Sequence, residues 1–324
     1  MKSIFVTSRP IVVHFDINET ILLGDIAGGD SVEDCWHKII AKSAFVHVPD
    51  SVADIASFVP THWWNGVPLQ STEGTPALWL ESSWPPNAAP YYRTAFKHKS
   101  KTFLHHDGAV YRSAISQLAV PPSEGCFAHV LPALFATLLA LSSHATPVRL
   151  VFRTMGHDLA YIAEAVTAFA QGKHPSYPDF VHEPFVWNRP DQFLKGYWEN
   201  DIFGLKTNKG EVVAKGDEQV LQHLRQFAIC GIQDDYHHWE KHGFRPEGGK
   251  PVWDSHEEYH VLFDDNIFPM LPNYSIAGVR KHDKFVPCPE EGVHLMPVRT
   301  LAPLQNSNWF LEQLAESKQR YDSR

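Results

Sequence analysis

The sequence predicts an α/β fold built on a parallel sheet, and three short apolar runs carry that prediction. They span Ile11–Asp16 (IVVHFD), Pro147–Thr154 (PVRLVFRT) and Tyr259–Ile267 (YHVLFDDNI), the last with its acidic pair after the apolar residues. Each is nearly continuous in apolar residues, as expected of strands covered on both faces. Each also ends abruptly in a polar group: Asp16, Thr154, and the adjacent pair Asp264–Asp265. Ligands of open α/β sheets bind just beyond the carboxyl ends of strands, so these four side chains are aimed where a site is expected.

The remaining elements follow in chain order. After the first run, Gly24, Gly28 and Gly29 make a turn beside the presumed site. Ser31, with Asp34 three residues on, is an N-cap for a helix over Val32–Ala44 with apolar Val32, Cys35, Trp36, Ile39 and Ile40. Residues 45–128 are rich in Pro, Trp and Tyr with poor helical periodicity, which predicts short strands and loops in a cap or insertion. Val130–Ser143 reads as a buried helix. Asp158–Gln171 is the clearest amphipathic one, through Leu159, Ile162, Ala163, Val166 and Phe169. Residues 172–248 read as a second loop-rich insertion, containing a hairpin around Asn208-Lys209-Gly210 and a helix over Asp217–Phe227. His238 and His242 have the i, i+4 spacing of a metal pair, but without a His-Glu-x-x-His pattern they read as a solvated helix face. The whole, residues 1–324, is expected to form one α/β unit with these insertions.

Composition narrows the partners. A net charge of −9 with no basic run argues against a nucleic-acid surface. Cys35, Cys126, Cys230 and Cys288 lie far apart, and we read them as free thiols of a reducing compartment. No apolar stretch reaches the length of a signal core or a membrane span; Val130–Leu141 falls well short and contains Pro132. The expectation is a cytoplasmic protein acting on a small molecule, with neither nucleic acid nor membrane as partner.

Strands ending in Asp, Thr and Asp-Asp, in that order, resemble the haloacid dehalogenase-like (HAD) hydrolase superfamily. Asp16-Ile17-Asn18-Glu19-Thr20 resembles its first motif, D-x-D-x-T; Thr154 resembles the second, and Asp264-Asp265 the fourth. Lys250, in GGKPVW, fits the third best, although it lies close to Asp264; Lys215 and Lys241 are the fallbacks. The resemblance implies a Rossmann-like HAD core and a Mg²⁺-dependent phosphatase. In it Asp16 takes the phosphoryl group of a small phosphorylated substrate, while Thr154 and Lys250 hold the phosphate. The metal ligands it implies are Asp16, the backbone carbonyl of Asn18, Asp264 and Asp265.

One residue departs from this pattern. HAD phosphatases carry a second Asp, a general acid and base, where this chain has Asn18. A carboxamide orients an oxygen but exchanges no proton near neutral pH, so turnover is expected to be slow, restricted to good leaving groups, or aided by another acid, with Glu19 and His14 the nearest. A dehalogenase and a phospho-ligand-binding protein without turnover are the two alternatives. The acidic pair weighs against the first, and Asn18 invites the second.

Overall fold

The structure, a computed structural model, describes residues 9–25, 29–71, 73–78, 84–115, 118, 121–122, 124–144, 146–269, 271–287, 289–290 and 292–324. Gly28 of the expected turn and Cys288 lie outside the described residues. The strands are β1 (Ile11–Asp16), β2 (Phe45–His47), β3 (Ala88–Pro90), β4 (Val148–Thr154), β5 (Phe193–Glu199), β6 (Ile202–Thr207) and β7 (Val212–Lys215). They continue with β8 (Ile229–Gln233), β9 (Lys250–Trp253), β10 (Tyr259–Asp264), β11 (Ala277–Lys281), β12 (Lys284–Phe285) and β13 (Leu295–Pro297). The helices are α1 (Val32–Ser43), α2 (Arg112–Ile115), α3 (Pro132–Ser142), α4 (Leu159–Ala170), α5 (Asp217–Leu224), α6 (Tyr236–Lys241), α7 (Leu301–Gln305) and α8 (Trp309–Asp322).

Eight strands form the central sheet in the order β13-β10-β1-β4-β8-β5-β6-β7. All pairings from β13 to β5 are parallel, and β5, β6 and β7 close the edge as an antiparallel meander. The three apolar runs are therefore neighbours, with β1 in the middle. This is an α/β architecture with a mostly parallel sheet, compatible with a Rossmann-like core.

Alternation along β1 explains how both faces are filled. Ile11, Val13 and Phe15 are buried in one cluster with residues of α3, α4 and α8. Phe15 anchors it, lying against Phe152 at 5.9 Å and Phe263 at 5.5 Å, with Phe310 edge-on at 5.3 Å. Val12 belongs to the opposite face, with Val151, Leu194, Phe203, Val220 of α5 and Trp253 of β9. His14 shares that second face. Its Nε2 lies 3.0 Å from His260 Nδ1, and its ring centroid is 6.1 Å from that of Trp253.

The two predicted insertions differ in kind. Residues 45–128 hold the short β2–β3 pair and 3₁₀ turns around their own aromatic cluster of Trp63, Tyr91, Phe103 and Tyr111. Residues 172–248, expected as loop and cap, instead supply four strands of the main sheet, β5 to β8. The predicted hairpin at 208–210 is present, with Gly210 N–H donating to Thr207 O at 2.9 Å. A second hairpin precedes it, where Asn200 and Asp201 take φ of 50° and 62°, the left-handed pair of a tight strand-to-strand turn. Strand β8 (ICGIQ) lies within the stretch expected to be loop-rich. Its five residues are too few to show periodicity.

Among the described residues no helix is long and apolar enough to cross a membrane. Cys35, Cys126 and Cys230 are free, and burial pushes the Cys35 and Cys230 thiols up to about 12.

Candidate catalytic and metal site

Strand register brings the polar strand ends together. Phe15 pairs with Phe263, so Asp264, one residue on, is level with Asp16 on the neighbouring strand. On the other side Asp16 pairs with Arg153, which puts Thr154 one step beyond. Carboxylate oxygens of Asp16, Asp264 and Asp265 all lie within 4.8 Å of one another, and all three residues are buried. Three carboxylates so close, out of water, repel strongly unless cations stand among them.

One such cation is Lys250. Its Nζ, on the first residue of β9, contacts Asp16 Oδ1 and donates to Asp264 Oδ2 at 2.7 Å. The short sequence distance to Asp264 is bridged because β9 belongs to a separate three-stranded sheet, β12-β11-β9, packed beneath the end of the main one. Arg153 ties that sheet down: its Nε donates to Asp234 Oδ2 at 2.9 Å and its Nη1 to Pro251 O at 3.0 Å. The fallback lysines do not reach the site. Lys215 pairs with Glu199 in an exposed contact, and Lys241 is exposed on α6.

The electrostatics follow from burial. Desolvation pushes the Asp16 carboxyl well above the usual carboxylate range; Lys250 opposes this, while Asp264 and Asp265 add to it. Burial alone would lower the Lys250 ammonium, but Asp16, Asp264 and Asp234 outweigh it and hold the group charged. Thr20 completes the floor. Its hydroxyl donates to Asp16 Oδ2 at 2.8 Å and accepts from Asp265 N–H at 3.1 Å, tying the two carboxylate-bearing strand ends together.

Asn18 is held by its neighbours. Its Nδ2 donates to Gly24 O and to Asp25 Oδ1, each at 3.2 Å, and its Oδ1 accepts from the Thr154 hydroxyl at 3.4 Å. Gly156 N–H in turn donates to Thr154 Oγ1 at 2.9 Å. A carboxylate, Asp25, thus stands one hydrogen bond behind the position where the resemblance expects an acid. Neither substitute acid suggested by the sequence is free. His14 is fully buried on the sheet face against His260, and Glu19 is ion-paired to both Lys38 and Lys42.

Two of these partners were not anticipated. Lys38 and Lys42 of α1 are four residues apart and so share a helix face. Lys42 donates to Glu19 Oε2 at 2.7 Å and contacts Asp265; Lys38 contacts Glu19 and lies 2.9 Å from Asp30 Oδ2. The sequence signal was two lysines at that spacing, bordering the apolar stripe of a capped helix. Glu19 is fixed with φ of 59°, a left-handed conformation costing a non-glycine residue about 1–3 kcal/mol, which its two lysines offset.

These groups open on a cleft of about 480 Å³, the size of a small-molecule site. Asp16, Asn18, Thr154, Lys250 and Asp265 line its floor; Tyr92, Arg93, Lys97, Trp239 and Phe244 form other walls. The histidine pair stays outside. His238 and His242 stack on each other with ring centroids 4.0 Å apart, and His242 Nδ1 lies 2.8 Å from the His238 carbonyl. A second acidic-histidine group, Glu33, His37 and His105, is poorly suited to a metal. His37 Nδ1 already accepts from Leu104 N–H at 2.8 Å, which leaves the proton of the neutral ring on Nε2, the atom facing Glu33.

Comparison of the chain with protein-family models, with curated proteins and with solved structures returns no match. The chemistry is therefore read from the side chains themselves.

Proposed function

We propose that the chain is an HAD-like, Mg²⁺-dependent phosphohydrolase that acts on a small phosphorylated metabolite through an aspartyl-phosphate on Asp16. The observation that carries this reading is the meeting of Asp16, Thr154, Lys250 and Asp264–Asp265 at one cleft, from the ends of four strands, β1, β4, β9 and β10.

The residues fit a divalent ion. Asp16, Asp264 and Asp265 offer hard oxygen donors within 4.8 Å of one another, buried where a cation relieves their repulsion. Asp16, Asp264 and Asp265, with the Asn18 backbone carbonyl, would hold Mg²⁺, which when bound supplies positive charge against the phosphate dianion. Lys250 opposes the burial that raises the Asp16 carboxyl and fixes one of its oxygens, which would leave the other oriented for attack. Asp16 forms a bond to phosphorus as the ester oxygen departs with the bonding pair, which splits one displacement into two easier ones. The Thr154 hydroxyl, which lines the cleft, would donate to a non-bridging phosphate oxygen. The leaving oxygen takes its proton from water, since the Asn18 carboxamide is no acid, and a second water then attacks the acyl phosphate to release inorganic phosphate and regenerate Asp16. Leaving groups that need no proton are favoured.

The test is phosphate release from a panel of phosphorylated metabolites and an aryl phosphate, with and without Mg²⁺, on the wild type and Asp16→Asn. Mg²⁺-dependent release lost in Asp16→Asn is the expected result. Stoichiometric beryllofluoride binding without turnover would instead make the chain a phospho-ligand-binding protein. Halide release from haloacids without Mg²⁺ would make it a dehalogenase.

A further inference from the structure

The charges of the cleft are not all accounted for by chemistry at Asp16. Of the cations lining it, Lys250 is paired with Asp16 and Asp264, Lys42 with Glu19 and Asp265, and Lys38 with Glu19 and Asp30. Arg93 and Lys97 also line it, and among the described residues neither has a carboxylate within ion-pair distance.

An exposed lysine without a partner is ordinary. A buried guanidinium without one is not, because taking an ion out of water costs several kcal/mol that only a counter-charge and filled hydrogen bonds return. Arg93 is 9% exposed. One of its donors, Nη2, reaches Asn266 Oδ1 at 3.0 Å, while its Nε is buried without a hydrogen-bond partner. Its guanidinium is held between rings, 4.3 Å from the Phe268 centroid and 5.3 Å from that of Tyr92. Two ring faces hold it in place with donor capacity left over. Lys97 stands nearby, its Nζ 5.7 Å from the Tyr92 centroid and 5.8 Å from that of Phe244. Lys97 is exposed at the mouth of the cleft, beside Arg93 on the same wall.

We propose that Arg93 and Lys97 form a subsite for a second anionic group, a carboxylate or phosphate, on a substrate whose scissile phosphate sits at Asp16. The substrate class is then a phosphomonoester carrying a second acid group, with Tyr92 and Phe244 packing on the part that joins the two. This rests on the phosphohydrolase reading for which end is cleaved; the subsite itself needs no turnover. The competing account is that Arg93 and Lys97 merely offset the acidic floor.

Equilibrium binding separates the two. A linear bisphosphonate and the matching monophosphonate are titrated with Mg²⁺ into wild type, Lys97→Gln and Arg93→Gln; an ω-carboxyalkyl phosphonate separates a carboxylate-reading site from a phosphate-reading one. In the wild type the doubly anionic ligand should bind on the order of tenfold or more tighter than the monophosphonate, the scale of one charge-assisted hydrogen bond. That ratio should fall towards one in Lys97→Gln, whose exposed side chain is replaceable without loss of folding, and in Arg93→Gln where it folds. A wild-type ratio near one, or a ratio unchanged in Lys97→Gln, overturns the proposal. If no phosphate is released from any ester yet the ratio is high and collapses in the variant, the subsite stands and the hydrolase reading fails.

Discussion

Replacing Asn18 by Asp restores the acid that the resemblance expects, and the surroundings of Asn18 set the size of the effect. Asn18 Nδ2 donates to Gly24 O and Asp25 Oδ1, both at 3.2 Å. In Asn18→Asp these two donations are lost, and the new carboxyl faces Asp25 at about the same separation. Two full charges 3.2 Å apart would repel by roughly 1–5 kcal/mol at effective dielectrics of about 80 to 20. Such a pair avoids that cost by holding one proton between two carboxyls. The new group therefore retains a proton near neutrality, as a general acid requires, and turnover should rise by about a hundredfold to ten-thousandfold, or roughly 3–5 kcal/mol off the barrier. The assay is kcat with Mg²⁺ for an alkyl and an aryl phosphate, and the gain should be larger for the alkyl ester, whose leaving oxygen needs the proton. Asn18→Asp combined with Asp25→Asn returns a donor to the new carboxyl and should recover stability lost in the single variant. If both variants fold and neither raises alkyl phosphate turnover, the absent acid does not limit this site.

Further outcomes follow from the same contacts. Lys250→Gln leaves Asp16 and Asp264 buried without their cation and should cost about 3–5 kcal/mol of unfolding free energy, measured by urea denaturation; a loss below about 1 kcal/mol would mean the site is far wetter than its burial implies. Mg²⁺ at a hundred times its Kd should stabilise the wild type by about 2.7 kcal/mol, and much less in Asp264→Asn or Asp265→Asn, read as a shift in Tm; equal shifts in all three would place the ion elsewhere. His14 and His260 are held below the ordinary imidazole value of 6.5: His14 by burial, then His260 and Arg153, and His260 by burial, which Glu258 only partly opposes. The unfolded chain thus binds more protons, so stability is intact above about pH 6.5 and falls as pH drops below it, by up to about 1.4 kcal/mol per pH unit for each ring. Denaturation midpoints at about pH 7.5 and about pH 5.5 check this, and the slope should be shallower in His14→Gln.

Much of the site was legible because three of its strands are largely apolar runs with an abrupt polar end. That pattern located Asp16, Thr154 and Asp264–Asp265 without any contact information, and parallel pairing did the rest. Lys250 was harder. Its nearness to Asp264 in sequence looked wrong for a strand-helix-strand unit, and the three-stranded sheet that resolves this forms from strands of two to five residues. Strands β5 and β8 were missed for related reasons. Phe193–Glu199 mixes Lys, Gly, Tyr and Trp on a half-buried face, and Ile229–Gln233 is too short to show a period. The buried lysines of α1 were hidden by the same rule that found the helix, since a reading by apolar spacing passes over charges on the neighbouring face. Arg153 was read only as part of a strand. Its partner Asp234 lies 81 residues away, a distance at which sequence alone names no pair.

Attack by an Asp16 oxygen on phosphorus, with Asp264 and Asp265 sharing a divalent ion with Asp16, is tested most directly by acid-quenched mass spectrometry after mixing with an aryl phosphate or acetyl phosphate. A Mg²⁺-dependent phosphoryl group on the peptide containing Asp16, absent in Asp16→Asn and in Asp264→Asn, is the predicted result. Mg²⁺-dependent hydrolysis that persists in Asp16→Asn, or a phosphoryl group on any other residue, would contradict it.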